Sequence, residues 1–170
     1  MKQYVNRTEY ISSLLAYKDK DLIKVISGLR RSGKSTLLSM FRYQLSDLDI
    51  KGNQIHIYNF ELPENYLNKT WNELYFEIKE KLIPNKQNYI FLDEIQNIPS
   101  FERLVDGLFA SENTDVYVTG SNAYLLSSEL ATLLSGRYVE ISILPFSFKE
   151  YLSARKIDFS NKYLNYEALF

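Results

Sequence analysis

The chain has 170 residues, a length for roughly one ordinary domain, and its 45% hydrophobic and 24% charged composition belongs to a folding rather than a disordered sequence. Twenty Lys and Arg against 21 Asp and Glu leave a formal charge of -1, so no global field draws it onto a nucleic-acid backbone or an anionic membrane. With no Cys and a single His, disulfides, thiolate metal sites and imidazole clusters are excluded, which leaves oxygen ligands and a hard cation as the metal chemistry. No signal-peptide core follows Met1 and no stretch approaches 18 uninterrupted apolar residues, so an unanchored cytoplasmic protein is expected.

Helix-like and strand-like periods alternate along the chain, which predicts stacked βα units around a mostly parallel sheet. A first helix is expected from Thr8 to about Tyr17, with Ile11, Leu14 and Leu15 on one face and the charged turn Lys18–Asp21 ending it. Leu22–Ser27 reads as a buried strand. A helix carrying Leu37, Leu38, Phe41 and Leu45 leads to a second strand, Gln54–Phe60, and completes a right-handed βαβ crossover. His56 lies in that alternating strand and reads as a structural residue. Thr70 and Glu73 form a capping-box pattern ahead of a helix whose Trp71, Leu74, Tyr75, Ile78 and Leu82 share a face.

Tyr89–Leu92 is a short apolar strand closed by Asp93 and Glu94. After Pro99 a helix is expected with Ser100 as cap and Phe101, Leu104, Val105, Leu108 and Phe109 as its buried stripe. Val116–Thr119 gives a fourth strand, Leu125–Leu134 a helix, and Tyr138–Ile143 a fifth strand or exposed edge. Pro145 stops that strand, and Phe148, Tyr151 and Leu152 begin another helical face. Two regions are expected: a core over residues 1–154, and the start of a truncated C-terminal element over 155–170.

The strongest local signal is Gly28-Leu29-Arg30-Arg31-Ser32-Gly33-Lys34-Ser35-Thr36, a full match to the phosphate-binding pattern G-x-x-x-x-G-K-[ST]. Its setting fits, because a buried strand delivers the loop and an amphipathic helix follows it. Gly28 and Gly33 let the chain curl with its amides inward, and a helix N-terminus adds partial positive charge. Lys34 is expected between the β- and γ-phosphates, Ser35 on Mg²⁺ and Thr36 nearer the α-phosphate. Arg30 and Arg31 either counter phosphate or a partner's charge, or stand solvated.

Asp93 and Glu94 emerge at the carboxyl edge of the sheet, where open α/β folds bind ligands. Successive side chains of a strand diverge, so Asp93 can join the magnesium shell while an ionised Glu94 acts as base toward water beyond the γ-phosphate. The alternative is that either acid merely caps the next turn. At the end of the fourth strand Thr119 is the first choice as γ-phosphate sensor and Asn122 the second, against a plain turn capped by Ser121 or Asn122. Arg137 reads as an arginine finger across a subunit boundary, a reader of nucleotide state in its own chain, or a surface residue.

Together with Arg7, the blocks Phe91-Leu92-Asp93-Glu94-Ile95-Gln96, Thr119-Gly120-Ser121-Asn122, Ser135-Gly136-Arg137 and Leu144–Tyr151 make the chain resemble a bacterial and archaeal ATPase family of the P-loop AAA-like group. Members commonly join such a core to a C-terminal domain of uncertain function. The resemblance implies a three-layer α/β P-loop core with strand order 5-1-4-3-2, which would seat Thr119 between the phosphate loop and Asp93. It also implies ATP and Mg²⁺ bound at Lys34, Ser35, Asp93 and Glu94. The function expected is Mg-dependent ATP hydrolysis that moves a partner or a C-terminal domain. The alternative is a nucleotide-gated switch with little hydrolysis of its own. A homo-oligomer or protein partner is expected, nucleic acid is left open, and the absence of a guanine-specifying N-K-x-D pattern favours adenine.

Overall fold

A computed structural model describes residue 5 and residues 7–120 and 136–155. The elements in chain order are α1 (Thr8–Tyr17), β1 (Ile23–Gly28), α2 (Lys34–Asp47), β2 (Ile55–Asn59), α3 (Trp71–Lys81), β3 (Asn88–Asp93), α4 (Phe101–Phe109), β4 (Thr114–Gly120), β5 (Tyr138–Ile143) and α5 (Phe148–Arg155). The helix expected over Leu125–Leu134 lies outside the described residues, as do Ser121, Asn122 and all but the first residue of the expected C-terminal element.

The five strands form one sheet in the order β2-β3-β4-β1-β5, which counted from the β5 edge runs 5-1-4-3-2. Every pairing among the described strands is parallel, in keeping with the mostly parallel sheet expected. The expected β1–α2–β2 crossover joins two strands of this sheet that are not neighbours: β4 and β3 lie between them, so the connection carries the chain across to the far edge.

Alternation along the central strands divides the core into two layers. Ile23 and Val25, Ile90 and Leu92, and Val116 and Val118 face α3 and α4, packing against Leu74, Ile78, Leu104, Val105 and Leu108. Ile26, Tyr89, Phe91 and Tyr117 point the other way, against Ile11 and Leu14 of α1 and Leu37, Leu38, Phe41 and Leu45 of α2. The rings of Phe91 and Tyr117 stack there at 4.9 Å, with Phe41 tilted against Tyr117 at 5.2 Å. Since β1, β3 and β4 are covered on both faces, they are buried almost along their whole length.

Two expectations about helix faces need adjustment. Leu15 is 36% exposed rather than buried with Ile11 and Leu14. Ser100 precedes α4 with a left-handed backbone and makes no side-chain capping bond. The capping box of α3 is formed, with the Thr70 N–H donating to the Glu73 carboxylate at 2.7 Å.

Candidate functional site

Because the strands are parallel, every loop that follows a strand reaches the same edge of the sheet. The loop after β1 wraps into α2 there. A Cβ on Gly28 would stand 2.5 Å from the Ile143 carbonyl oxygen and 2.8 Å from the Ser32 hydroxyl, so only glycine lets the loop approach β5 this closely. Gly33 enters α2 with φ of 98°, again a glycine conformation. The Ser32 hydroxyl is buried with no hydrogen-bond partner inside this loop.

Lys34 is buried although it carries charge. Its Nζ donates to the carbonyls of Gly28 and Leu29 at 3.2 Å each, and Glu94 Oε1 lies 3.6 Å away. Asp93 ends β3 directly beside β4. Its carboxylate accepts a hydrogen bond from the Thr119 hydroxyl, and the Ser35 hydroxyl lies close by. Burial pushes the Asp93 carboxyl above its ordinary range, while those two hydroxyls and the more distant Lys34 pull the other way.

Glu94 takes a left-handed backbone with φ of 56°, which turns its side chain out of the strand's alternation. Its N–H donates to Thr119 Oγ1 at 3.0 Å, and its Oε2 accepts from Gln96 Nε2 at 2.6 Å. These groups surround a cavity of 540 Å³ lined by Arg30, Arg31, Gly33, Lys34, Ser35, Thr36, Glu61, Glu94, Gln96 and Asn97. Leu29, also expected in the loop, is 61% exposed and contributes its carbonyl to Lys34.

The remaining expected residues fall differently. Thr119 does lie between the phosphate loop and Asp93, but it is fully buried and its hydroxyl is shared between Asp93 and Glu94. Asn122 lies outside the described residues. Arg137 precedes β5, so it sits at the amino edge, a strand length or roughly 20 Å from the cavity. There it pairs with Asp106 at 3.1 Å, away from the cavity. Glu61, Gln96 and Asn97 were not singled out from sequence. Each follows β2 or β3, and in a parallel sheet that position alone assigns the carboxyl edge.

The donors fit a nucleoside triphosphate with a hard cation. Loop amides and Lys34 match phosphate oxygens, and the Ser35 hydroxyl with the Asp93 carboxylate offers oxygen ligands to Mg²⁺. No group of three or more His, Asp or Glu side chains converges as a metal cage among the described residues. A magnesium ion held by one carboxylate, a hydroxyl and substrate phosphates needs no such cage.

Comparison with known proteins agrees with this geometry. Residues 20–152 match the family described as AAA domain. The chain belongs to that family. Among its relatives, a Haemophilus influenzae protein named only as uncharacterized is 47% identical over 158 residues, covering 92% of this chain and 40% of its own length. An uncharacterized Methanocaldococcus jannaschii protein is 36% identical over 145 residues, covering 85% of this chain and 31% of its own. The chain therefore spans well under half the length of these relatives. Saccharomyces cerevisiae Hsp104, solved as a complex with casein, shares the fold with a TM-score of 0.66 at 15% identity, over 92% of this chain and 30% of that one. The P-loop AAA-type ATPase fold is thereby established. Among the described residues no helix is long and apolar enough to cross a membrane.

Proposed function

We propose that the AAA domain binds ATP with Mg²⁺ and hydrolyses it to ADP and phosphate, using the resulting loop movements to shift a partner or a C-terminal domain. The observation that carries this reading is that Lys34, Ser35 and Glu94 line one polar cavity, with Thr119 bonded to the Glu94 N–H and to Asp93 beside it. Gly28 to Thr36 cradle the phosphates, Lys34 neutralises the β- and γ-groups, and Ser35 with Asp93 holds the cation. Bound Mg²⁺ supplies charge neutralisation at the phosphate oxygens. Glu94 takes the proton from the attacking water as the bond from the γ-phosphorus to the bridging oxygen breaks. Thr119 acts through Asp93 and Glu94 as a positioning residue, which leaves Asn122 as the candidate for direct contact with the γ-phosphate.

Glu94→Gln is expected to retain MgATP binding and to lose about 10²–10⁴-fold in phosphate release, the usual scale of a general base. Steady-state release beside equilibrium binding decides it. Unchanged release would remove Glu94 from the chemistry.

A second reading is a nucleotide-gated switch with little turnover of its own. The observation that favours it is the engagement of both Glu94 carboxylate oxygens, one near Lys34 and one with Gln96, while Arg137 stands at the opposite edge. On this reading Arg137 would serve only across a subunit boundary. Turnover per molecule that rises with protein concentration supports assembly-dependent hydrolysis. Rapid, concentration-independent turnover removes it.

A further inference from the structure

Arg7 is a nearly buried charge lying just before α1, and it joins three distant parts of the chain. Its Nη1 donates to the Ser32 carbonyl of the phosphate loop at 3.0 Å, and its Nη2 to the Leu144 carbonyl after β5 at 2.7 Å. Its Nε donates to Glu150 Oε1 of α5 at 2.8 Å. Aromatic rings flank the guanidinium, with Tyr10 at 4.8 Å and Phe146 at 5.2 Å from it. The other Glu150 oxygen accepts the Ser147 N–H at 2.7 Å, so the carboxylate is itself held at the first turn of α5.

The bond to Ser32 has a consequence inside the loop. A trans peptide is planar, with its C=O and N–H pointing in opposite directions. No described peptide bond is cis. Fixing the Ser32 carbonyl on Arg7 therefore turns the Gly33 N–H away from Arg7, and Gly33 lines the cavity that Lys34 and Ser35 share. The guanidinium is a rigid planar fork, so a shift of the Ser32 carbonyl at one nitrogen is felt at the nitrogen that holds Glu150.

We propose that Arg7 is a positioning residue that aims the Ser32–Gly33 peptide toward bound phosphate and, through Glu150, couples occupancy of the loop to α5. This rests on the reading of the loop as a MgATP site. Coupling of this kind is reciprocal, so loosening α5 from Arg7 must also weaken the nucleotide.

The test is hydrogen exchange of the 170-residue chain with and without MgATP, beside calorimetric titration of MgATP. In the wild type, MgATP is expected to slow exchange both in residues 28–36 and in 148–155. In Glu150→Gln the loop remains protected, protection of α5 by nucleotide disappears, and affinity falls about fivefold or more. Arg7→Lys keeps the charge but loses the fork, and is expected to weaken binding about tenfold. A purely structural clamp would lower thermal stability in both variants yet leave the nucleotide response of α5 intact, and that result overturns the coupling. A wild type that binds MgATP with no change in α5 overturns it too. A wild type that binds no MgATP sinks the parent reading and the coupling with it.

Discussion

At the amino edge of the sheet Lys24 and Asp115 meet at 2.6 Å with both side chains fully buried, whereas at the carboxyl edge Lys34 and Glu94 stand 3.6 Å apart beside an open cavity. The first pair is closed on itself. Asp115 also accepts the Asp19 N–H and the Tyr117 hydroxyl at 2.9 Å each, and Lys24 donates again to the Lys20 carbonyl at 2.7 Å. The Tyr89 hydroxyl, pushed up to about 12 chiefly by burial, donates to Asp19 and ties down the turn between α1 and β1. At the carboxyl edge, by contrast, Ser32 Oγ and Gln96 Oε1 are buried without partners, and burial pushes the Asp93 carboxyl above its ordinary range. One edge uses its polar groups to define the fold. The other leaves hydrogen-bonding capacity unpaired beside the cavity, as the proposed nucleotide site requires.

The comparison is broken most severely by removing one partner at the amino edge. Lys24→Met leaves the Asp115 carboxylate buried without its ion-pair partner and is expected to cost about 3–5 kcal/mol of stability. Adding Asp115→Asn should recover part of that loss, because the amide oxygen still accepts from Asp19 and Tyr117 while no charge remains. Urea unfolding of the single and double variants measures both. A loss below about 1 kcal/mol for Lys24→Met would mean that the closed network does not hold this edge.

The counterpart at the carboxyl edge is Lys34→Ala. One charge-assisted contact to phosphate contributes about 1.5–3 kcal/mol, so MgATP should bind about 10- to 100-fold more weakly. Stability without nucleotide should change by less than about 1 kcal/mol, since Lys34 bonds mainly to loop carbonyls. The two lysines would thus separate cleanly, one governing folding and the other binding. Titration calorimetry and urea unfolding on the same preparation compare them.

Thr119 lies between these extremes, being fully buried yet part of the site. Thr119→Val keeps the shape but removes the acceptor for the Glu94 N–H and the donor to Asp93, at an expected cost of about 1–3 kcal/mol. If Thr119 positions both acids, phosphate release should fall while MgATP affinity changes little. An equal fall in affinity would instead point to direct contact with nucleotide.

Much of the carboxyl edge was legible because its signals are local. The loop from Gly28 to Thr36 and the Asp93–Glu94 step are short, contiguous patterns with fixed backbone demands. The amino-edge network was not, since Lys24 and Asp115 are 91 positions apart and each looks like a misplaced charge in an apolar strand until the register brings Lys24 opposite Tyr117. Glu61 and Gln96 needed β2 and β3 to be neighbours before they could share a cavity with Lys34. Arg137 carries the opposite lesson. A residue that precedes a strand in a parallel sheet belongs to the amino edge, a rule that follows from chain order alone. Arg7 had no local signal for its role, because its three partners are 25, 137 and 143 positions away.

The smallest expected effect sharpens the comparison through pH. Its hydrogen bond from Arg7 holds the Glu150 carboxyl below the ordinary value of 4.5, against a weaker opposing push from burial. A depressed carboxylate pKa contributes stability that is fully present above 4.5 and is lost as pH falls through the lower folded-state value. The pair is partly exposed, so the contribution should be about 1 kcal/mol at most, or ~2–4 °C in melting temperature. Glu150→Gln should therefore melt below the wild type by a constant margin from pH 7 to about pH 5, and the two curves should converge below about pH 4.5. A margin that persists unchanged to pH 3 would mean that Glu150 stabilises α5 through its shape and its bond to Ser147 rather than through the charge it offers Arg7.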